Sequence, residues 1–283
     1  MKSSLFKKGI MFFLTFAVLM LSGCQKEEKI DVIHPLDCQI DYDNFESVEK
    51  TGDWKSALKE EEIDLVEEIY TSEDGDIHVI TANADNYATG KVDTYVVYEN
   101  SDYVHINAMC IGALVEAYED CEINGDTDCK ELVISFDFMG NGGAGVHETQ
   151  VWTFENGYPH LVFSSDCDFG YASVLNDNYE IIIDNIYTGD QTRVRYNKDK
   201  LTEDFFDENG NPLNPMHAYF DRAYKTVVKD VDNDGDFELV CNSYTHFTSH
   251  ADYIGDTVTT IDYNKDLRAF VVVGSEFVEP EAE

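Results

Sequence analysis

Basic residues are scarce. Only 19 Lys and Arg stand against 57 Asp and Glu in 283 residues, a formal net charge of −38. That shortage excludes nucleic acid as a partner, because a phosphate backbone would be repelled, and it excludes adsorption to anionic lipid by charge alone. Acidity of this degree favours metal cations. No CxxC or CxxH spacing occurs, so neither a zinc-finger nor a thioredoxin-like cysteine motif is present. No Gly-x-Ser-x-Gly elbow occurs, so the usual nucleophilic serine turn is missing. The longest apolar run, Ile10–Leu21, is too short to span a bilayer comfortably. What the chain does have is 43% hydrophobic and 13% aromatic residues, enough for a packed core and against global disorder.

The first 24 residues carry an address. Lys2, Lys7 and Lys8 precede the apolar run, and Leu21-Ser22-Gly23-Cys24 follows it. Charge, a short greasy core and small residues at a cut are the marks of an export signal. The segment resembles a bacterial lipoprotein signal peptide, which implies cleavage after residue 23 and a lipid on Cys24. Cleavage removes three lysines and no acid, leaving 16 basic and 57 acidic residues, net −41. Residues 24–52 read as lipid anchor and acidic tether, and 53–283 as the folded body. The expected location is extracytoplasmic, on the bacterial cell membrane or surface. Without Cys24, six cysteines remain: Cys38, Cys110, Cys121, Cys129, Cys167 and Cys241. An even number in an exported chain permits disulfides, and free or buried thiols fit equally.

Four segments share a pattern of alternating β-branched and aromatic residues running into a polar turn. They begin at Thr94, Thr149, Thr192 and Val258, and each precedes a second candidate strand. An acidic or Asn-rich loop entering an apolar strand precedes each hairpin, as in Asp74–Ile80, Asp126–Ile134, Asn176–Ile183 and Asp232–Val240. The Glu opening that strand recurs at 131, 180 and 238, gaps of 49 and 58 residues. Several strands per repeat, at a period near 50 residues, predict an all-β protein. One repeat cannot bury its apolar face alone, so neighbours must stack. Asp53–Ile69 fits helix and strand, with a strand favoured in its C-terminal half.

Phe169-Gly-Tyr-Ala-Ser-Val174 with Asp177–Ile183, and Asp230-Val-Asp-Asn-Asp-Gly-Asp-Phe-Glu-Leu-Val240, resemble the FG-GAP/VCBS repeats of integrin-type β-propellers. The resemblance spans roughly residues 60–278 and implies a propeller-like array of about four to five degenerate four-stranded repeats. A different stacked β-sheet repeat is the alternative architecture. The family's terminal Gly-Ala-Pro is absent; these strands end in Ser135, Asp184 or Asn242.

Alternating carboxylates on a tight loop converge on one point, and calcium takes six to eight oxygens at such a point. Asp230, Asp232, Asp234, Asp236 and Glu238 have that spacing, with Gly235 at the turn. An EF-hand would need Glu at the twelfth position, where Cys241 stands. The resemblance implies that Asp230, Asp232, Asp234 and Glu238 supply side-chain oxygens to Ca2+ and Asp236 its carbonyl. Glu122, Asn124, Asp126, Asp128 and Glu131 form a second, looser copy, with Thr127 in place of the glycine. Cys121 and Cys129 bracket it.

Gly140-Asn-Gly142-Gly-Ala-Gly145 spells GxGxxG, but a strand pattern follows it instead of a helix, so it reads as a hairpin loop. His246 and His250 are four apart, yet Phe247 stands where a metalloprotease needs Glu, so the pair reads as structural or exposed. The functional expectation is a surface-anchored, calcium-stabilised binding module for a protein or glycan. The alternatives are a secreted hydrolase using His147, Glu148 or His160, and a non-catalytic subunit of an envelope complex.

Overall fold

The structure is a computed structural model. It describes residues 33–38, 45–49, 66–82, 93–99, 103–111, 113–119, 122–123, 131–137, 147–154, 160–196, 205–213 and 217–280. All of these lie in the unit Ile33–Glu283. The described residues are almost wholly strand and turn, and none of their helices is long and apolar enough to cross a membrane.

Among the described residues, sixteen strands form four antiparallel sheets, each from one stretch of chain. Sheet I contains β1 (Phe45–Glu49), β2 (Val66–Thr71), β3 (Ile77–Ala82), β4 (Asp93–Glu99) and β5 (Tyr103–Ile111), in the order β1-β5-β4-β3-β2. Sheet II is the meander β6 (Ala113–Glu119), β7 (Glu131–Asp137), β8 (His147–Thr153) and β9 (His160–Ser164). Sheet III is β10 (Tyr171–Asn176), β11 (Glu180–Asn185) and β12 (Gln191–Arg195). Sheet IV is β13 (Tyr219–Lys229), β14 (Glu238–His246), β15 (Tyr253–Asn264) and β16 (Ala269–Val278). None of the four closes on itself. Three of the four expected hairpins, β4–β5, β8–β9 and β15–β16, are present, the second strand of the fourth, expected at 201–206, lies mostly outside the described residues, and β2 is the strand anticipated before the Asp74-Gly75 turn.

The side-chain period of a strand explains the stacking. In sheet II, Val133, Val151 and Phe163 face one way, and Leu132, Ile134, Phe136, Trp152 and Leu161 face the other. The first set packs with Leu239, Cys241, Ile261, Phe270 and Val272 of sheet IV. The second packs with Ile77, Val79 and Val96 of sheet I. Sheet II is therefore an inner layer, buried on both faces, which is why Leu132, Val133 and Ile134 of β7 are consecutive apolar residues instead of alternating with polar ones. Sheet III joins sheet IV through a third cluster, where Leu175, Ile181, Ile183 and Val194 meet Phe247 and Ile254. Sheets II and IV are also joined by buried hydroxyls. Thr149 Oγ1 on β8 bonds Thr226 Oγ1 on β13 at 2.8 Å and Ser135 Oγ on β7 at 2.8 Å.

The Phe169-Gly170 pair has a local reason. Gly170 has φ of +79°, and a Cβ there would lie 2.4 Å from the Tyr187 ring. Phe169 is buried, and its carbonyl accepts from Asn185 Nδ2 at 2.9 Å. The body also reaches into the stretch read as tether. Strand β1 pairs with β5, and Pro35 bridges Val271 while Leu36 N–H donates to Phe270 O at 2.8 Å.

Candidate functional site

The acidic turn joins β13 to β14. Asn233 and Gly235 take positive φ (66° and 103°), which tightens the turn, and the loop carboxylates collect its backbone N–H groups. Asp230 Oδ1 accepts from Asn233 N at 2.6 Å, Asp232 Oδ1 from Asp234 N at 3.1 Å, and Asp234 Oδ1 from Asp236 N at 2.9 Å. Glu238 opens β14, is 4% exposed, and its Oε2 accepts from Val231 N at 2.5 Å. Oxygens of Asp230, Asp232 and Glu238 lie within 4.8 Å of one another. Three of the five residues expected around an ion therefore lie close together. Asp236 turns to Lys265, whose Nζ lies 2.6 Å from its Oδ2.

Burial pushes the Glu238 carboxyl above its ordinary value, and the nearby Asp232, Asp262 and Asp230 add to the rise against the Val231 N–H bond. Asp262, on β15, is raised for the same reasons, burial first, then Asp234, Asp232 and Asp236. Asp262 and Lys265 belong to this acidic corner, and no motif points to them. They follow the loop by some thirty residues and reach it only because β15 pairs beside β14.

Sheet II repeats the arrangement. Glu131 opens β7, is 2% exposed, and its Oε2 accepts from Ile123 N at 2.5 Å. This is the bond Glu238 makes to Val231, with one more residue in the loop. The two loops touch, Phe237 N–H donating to Glu122 O at 3.4 Å. Glu122 is exposed, with φ of 43°. Asn124, Asp126 and Asp128 lie outside the described residues, as do Cys24, Cys121, Cys129 and the 140–145 glycine loop.

His147, Glu148 and His160 do not converge. His147 opens β8, while His160 pairs with Thr153 at its other end, about 20 Å away at 3.3 Å per residue. Glu148 Oε1 accepts from Ser164 Oγ at 2.7 Å and Gln150 Nε2 at 2.9 Å. His246 and His250, read as structural or exposed, are brought together on one carboxylate. Asp221 Oδ1 lies 3.2 Å from His246 Nε2, and Asp221 Oδ2 lies 2.5 Å from His250 Nε2. Asp221 was not singled out by the sequence; its only signal is a place two residues past the start of β13, opposite the end of β14.

Three cysteines, Cys38, Cys167 and Cys241, are free thiols packed in or against the core between sheets II and IV. The Cys38 and Cys167 thiols share a hydrogen bond, which lowers the Cys38 thiol and raises that of Cys167.

Comparison of the chain with protein-family models, curated proteins and solved structures finds no match.

Proposed function

We propose that this chain is an envelope lipoprotein, held by a lipid on Cys24, whose calcium-stabilised β-repeats form a binding module for a protein or glycan partner. The observation that carries the reading is the repeated loop. In sheets II and IV a buried Glu at the head of the second strand grips the preceding acidic loop by a backbone N–H. In sheet IV that brings Asp230, Asp232 and Glu238 within coordinating reach of one ion. Without a cation these carboxylates repel one another; with one, they hold the loop rigid at the sheet's end, where recognition loops sit. Direct packing of sheet II on sheet IV favours a stacked repeat array over a ring of blades in chain order. A non-catalytic subunit of an envelope complex is the same reading with a resident partner.

The test uses the full chain, expressed with its leader in a bacterium that processes lipoproteins. Wild type should partition with membranes and Cys24→Ala should not; equal partitioning overturns the anchor. Thermal melts in chelator, calcium, magnesium and matched sodium chloride test the ion. At about 1 mM calcium and an affinity near 10⁻⁴ M, linkage adds about 1.4 kcal/mol per site, a shift of a few degrees. Magnesium should do less, because it holds its waters and demands octahedral geometry. Equal shifts from calcium and sodium, or an Asp232→Ala variant that responds like wild type, overturn the calcium site. Calcium-dependent retention on immobilised envelope glycan or protein supports binding, whereas release of cleaved sugar or peptide marks a hydrolase.

A further inference from the structure

We infer that Asp221, His246 and His250 form a second metal site, for a divalent transition ion of the zinc type, with a coordination position open to solvent. The residues come from two strands of sheet IV and the turn that joins β14 to β15. Asp221 sits where β13 shifts register against β14, between Phe220 and Ala223. His246 ends β14, and His250 begins the 3-10 turn His250–Asp252. That turn is held firmly. Phe247 is fully buried and stacks on Phe205 at 4.4 Å, Asp252 N–H donates to Ser249 O at 2.8 Å, and Thr248 Oγ1 donates to Asp252 Oδ2 at 2.5 Å.

The nitrogen chemistry points to a cation. His246 Nδ1 lies 3.1 Å from the Phe247 carbonyl, which can only accept, so Nδ1 carries the proton. In the neutral ring Nε2 then presents a lone pair to Asp221 Oδ1, 3.2 Å away. Two acceptors facing each other need a positive charge between them. A backbone carbonyl that fixes the tautomer of a histidine and aims its other nitrogen outward is the usual support of a metal-binding imidazole. The ligating atoms of all three residues lie within 4.8 Å of one another. Tetrahedral bonds of 2.0–2.1 Å place ligand atoms about 3.3 Å apart. The separation of His246 Nε2 from Asp221 Oδ1 already fits, and His250 Nε2, now 2.5 Å from the other oxygen of the same carboxylate, is carried on an exposed side chain that can move to complete the set. The neighbouring Arg222 is engaged elsewhere, with Asp166 at 2.7 Å.

Two imidazoles and one carboxylate suit zinc, and are a poor set for calcium, which takes oxygen ligands. Side-chain exposures of 41% at His250 and 23% at Asp221 leave one side of the ion facing water. Tyr219, 61% exposed, stacks on His246 at 5.9 Å, and Tyr244 lies 6.1 Å from His250, so an aromatic rim flanks the open position. Glu238 is eight residues along β14 from His246, about 26 Å, so this site and the acidic turn are separate.

The experiment is a calorimetric titration of the full chain with zinc chloride, in calcium to saturate oxygen sites, paired with cobalt substitution and visible spectroscopy. Wild type should bind one zinc ion that magnesium does not displace, and cobalt should give a tetrahedral ligand-field spectrum. H250Q and D221N should each weaken zinc more than about 100-fold, beyond what loss of a supporting hydrogen bond costs, and abolish the spectrum. H160Q, at an exposed histidine outside the cluster, should bind as wild type. His250 is exposed, so H250Q keeps its fold and carries the test even if D221N does not. Wild-type affinity in H250Q, or no zinc binding by the wild-type chain, overturns the site and leaves Asp221 as the carboxylate of an imidazolium pair.

Discussion

The contact between sheets II and IV rests on a measurable bond. Thr149 is fully buried on β8, and its hydroxyl bonds both Ser135 on its own sheet and Thr226 on β13. Thr149→Val keeps the shape and removes the hydroxyl. Two hydrogen bonds at about 1 kcal/mol each are lost, and two hydroxyls that are 2% exposed lose a partner. Thr226 retains its 3.5 Å contact to Cys241 Sγ, which softens the loss on that side. The cost should be about 2–3 kcal/mol, a melting decrease of about 4–10 °C for a body of this size. Thr226→Val alone should cost less, and a double-mutant cycle should return a coupling of about 1 kcal/mol. Replacing Ser135, Thr149 and Thr226 together by Ala, Val and Val should recover stability relative to Thr149→Val, because no orphaned hydroxyl is left behind. Urea and thermal unfolding of the full chain provide the numbers. Additivity of the two valine variants within about 0.3–0.5 kcal/mol would mean the hydroxyls do not touch, and the packing of sheet II on sheet IV would be refuted.

Glu238 and Asp262 are both raised by burial and by neighbouring carboxylates, so the folded chain binds more protons there than the unfolded chain. Their contribution is therefore favourable on the acid side and is lost as pH climbs from the ordinary carboxylate range through the raised values. In chelator, stability should fall across that window; Glu238→Gln with Asp262→Asn should flatten the slope, and a slope identical to wild type would contradict it. Gly170→Ala should destabilise by more than about 2 kcal/mol, since positive φ and the Tyr187 ring both oppose a Cβ; an unchanged melt would refute that reading of the Phe169-Gly170 pair. Mild oxidation should join Cys38 to Cys167, with both thiols protected from alkylation, while buried Cys241 stays reduced; a variant lacking Cys38 in which Cys167 is still protected to the same extent would disprove the pairing.

Strand positions, hairpins and the acidic turn were legible in the sequence because they are local. Alternation over five or more residues, Gly and Asp at turns, and a Glu before an apolar run need no distant partner, and β4–β5, β8–β9, β15–β16 and the 230–238 turn all follow from them. The all-β class follows too. Tertiary structure alone decided which sheets face each other. Sheet II lies between I and IV because both its faces are apolar, and periodicity says that a face is buried without saying against what. The same limit hid the side chains that meet only across strands. Asp262 and Lys265 reach the acidic turn through the β14–β15 pairing, and Asp221 reaches His246 and His250 through a register shift in β13. A shift of one residue turns a side chain to the opposite face, and that choice is settled by packing between segments far apart in the chain.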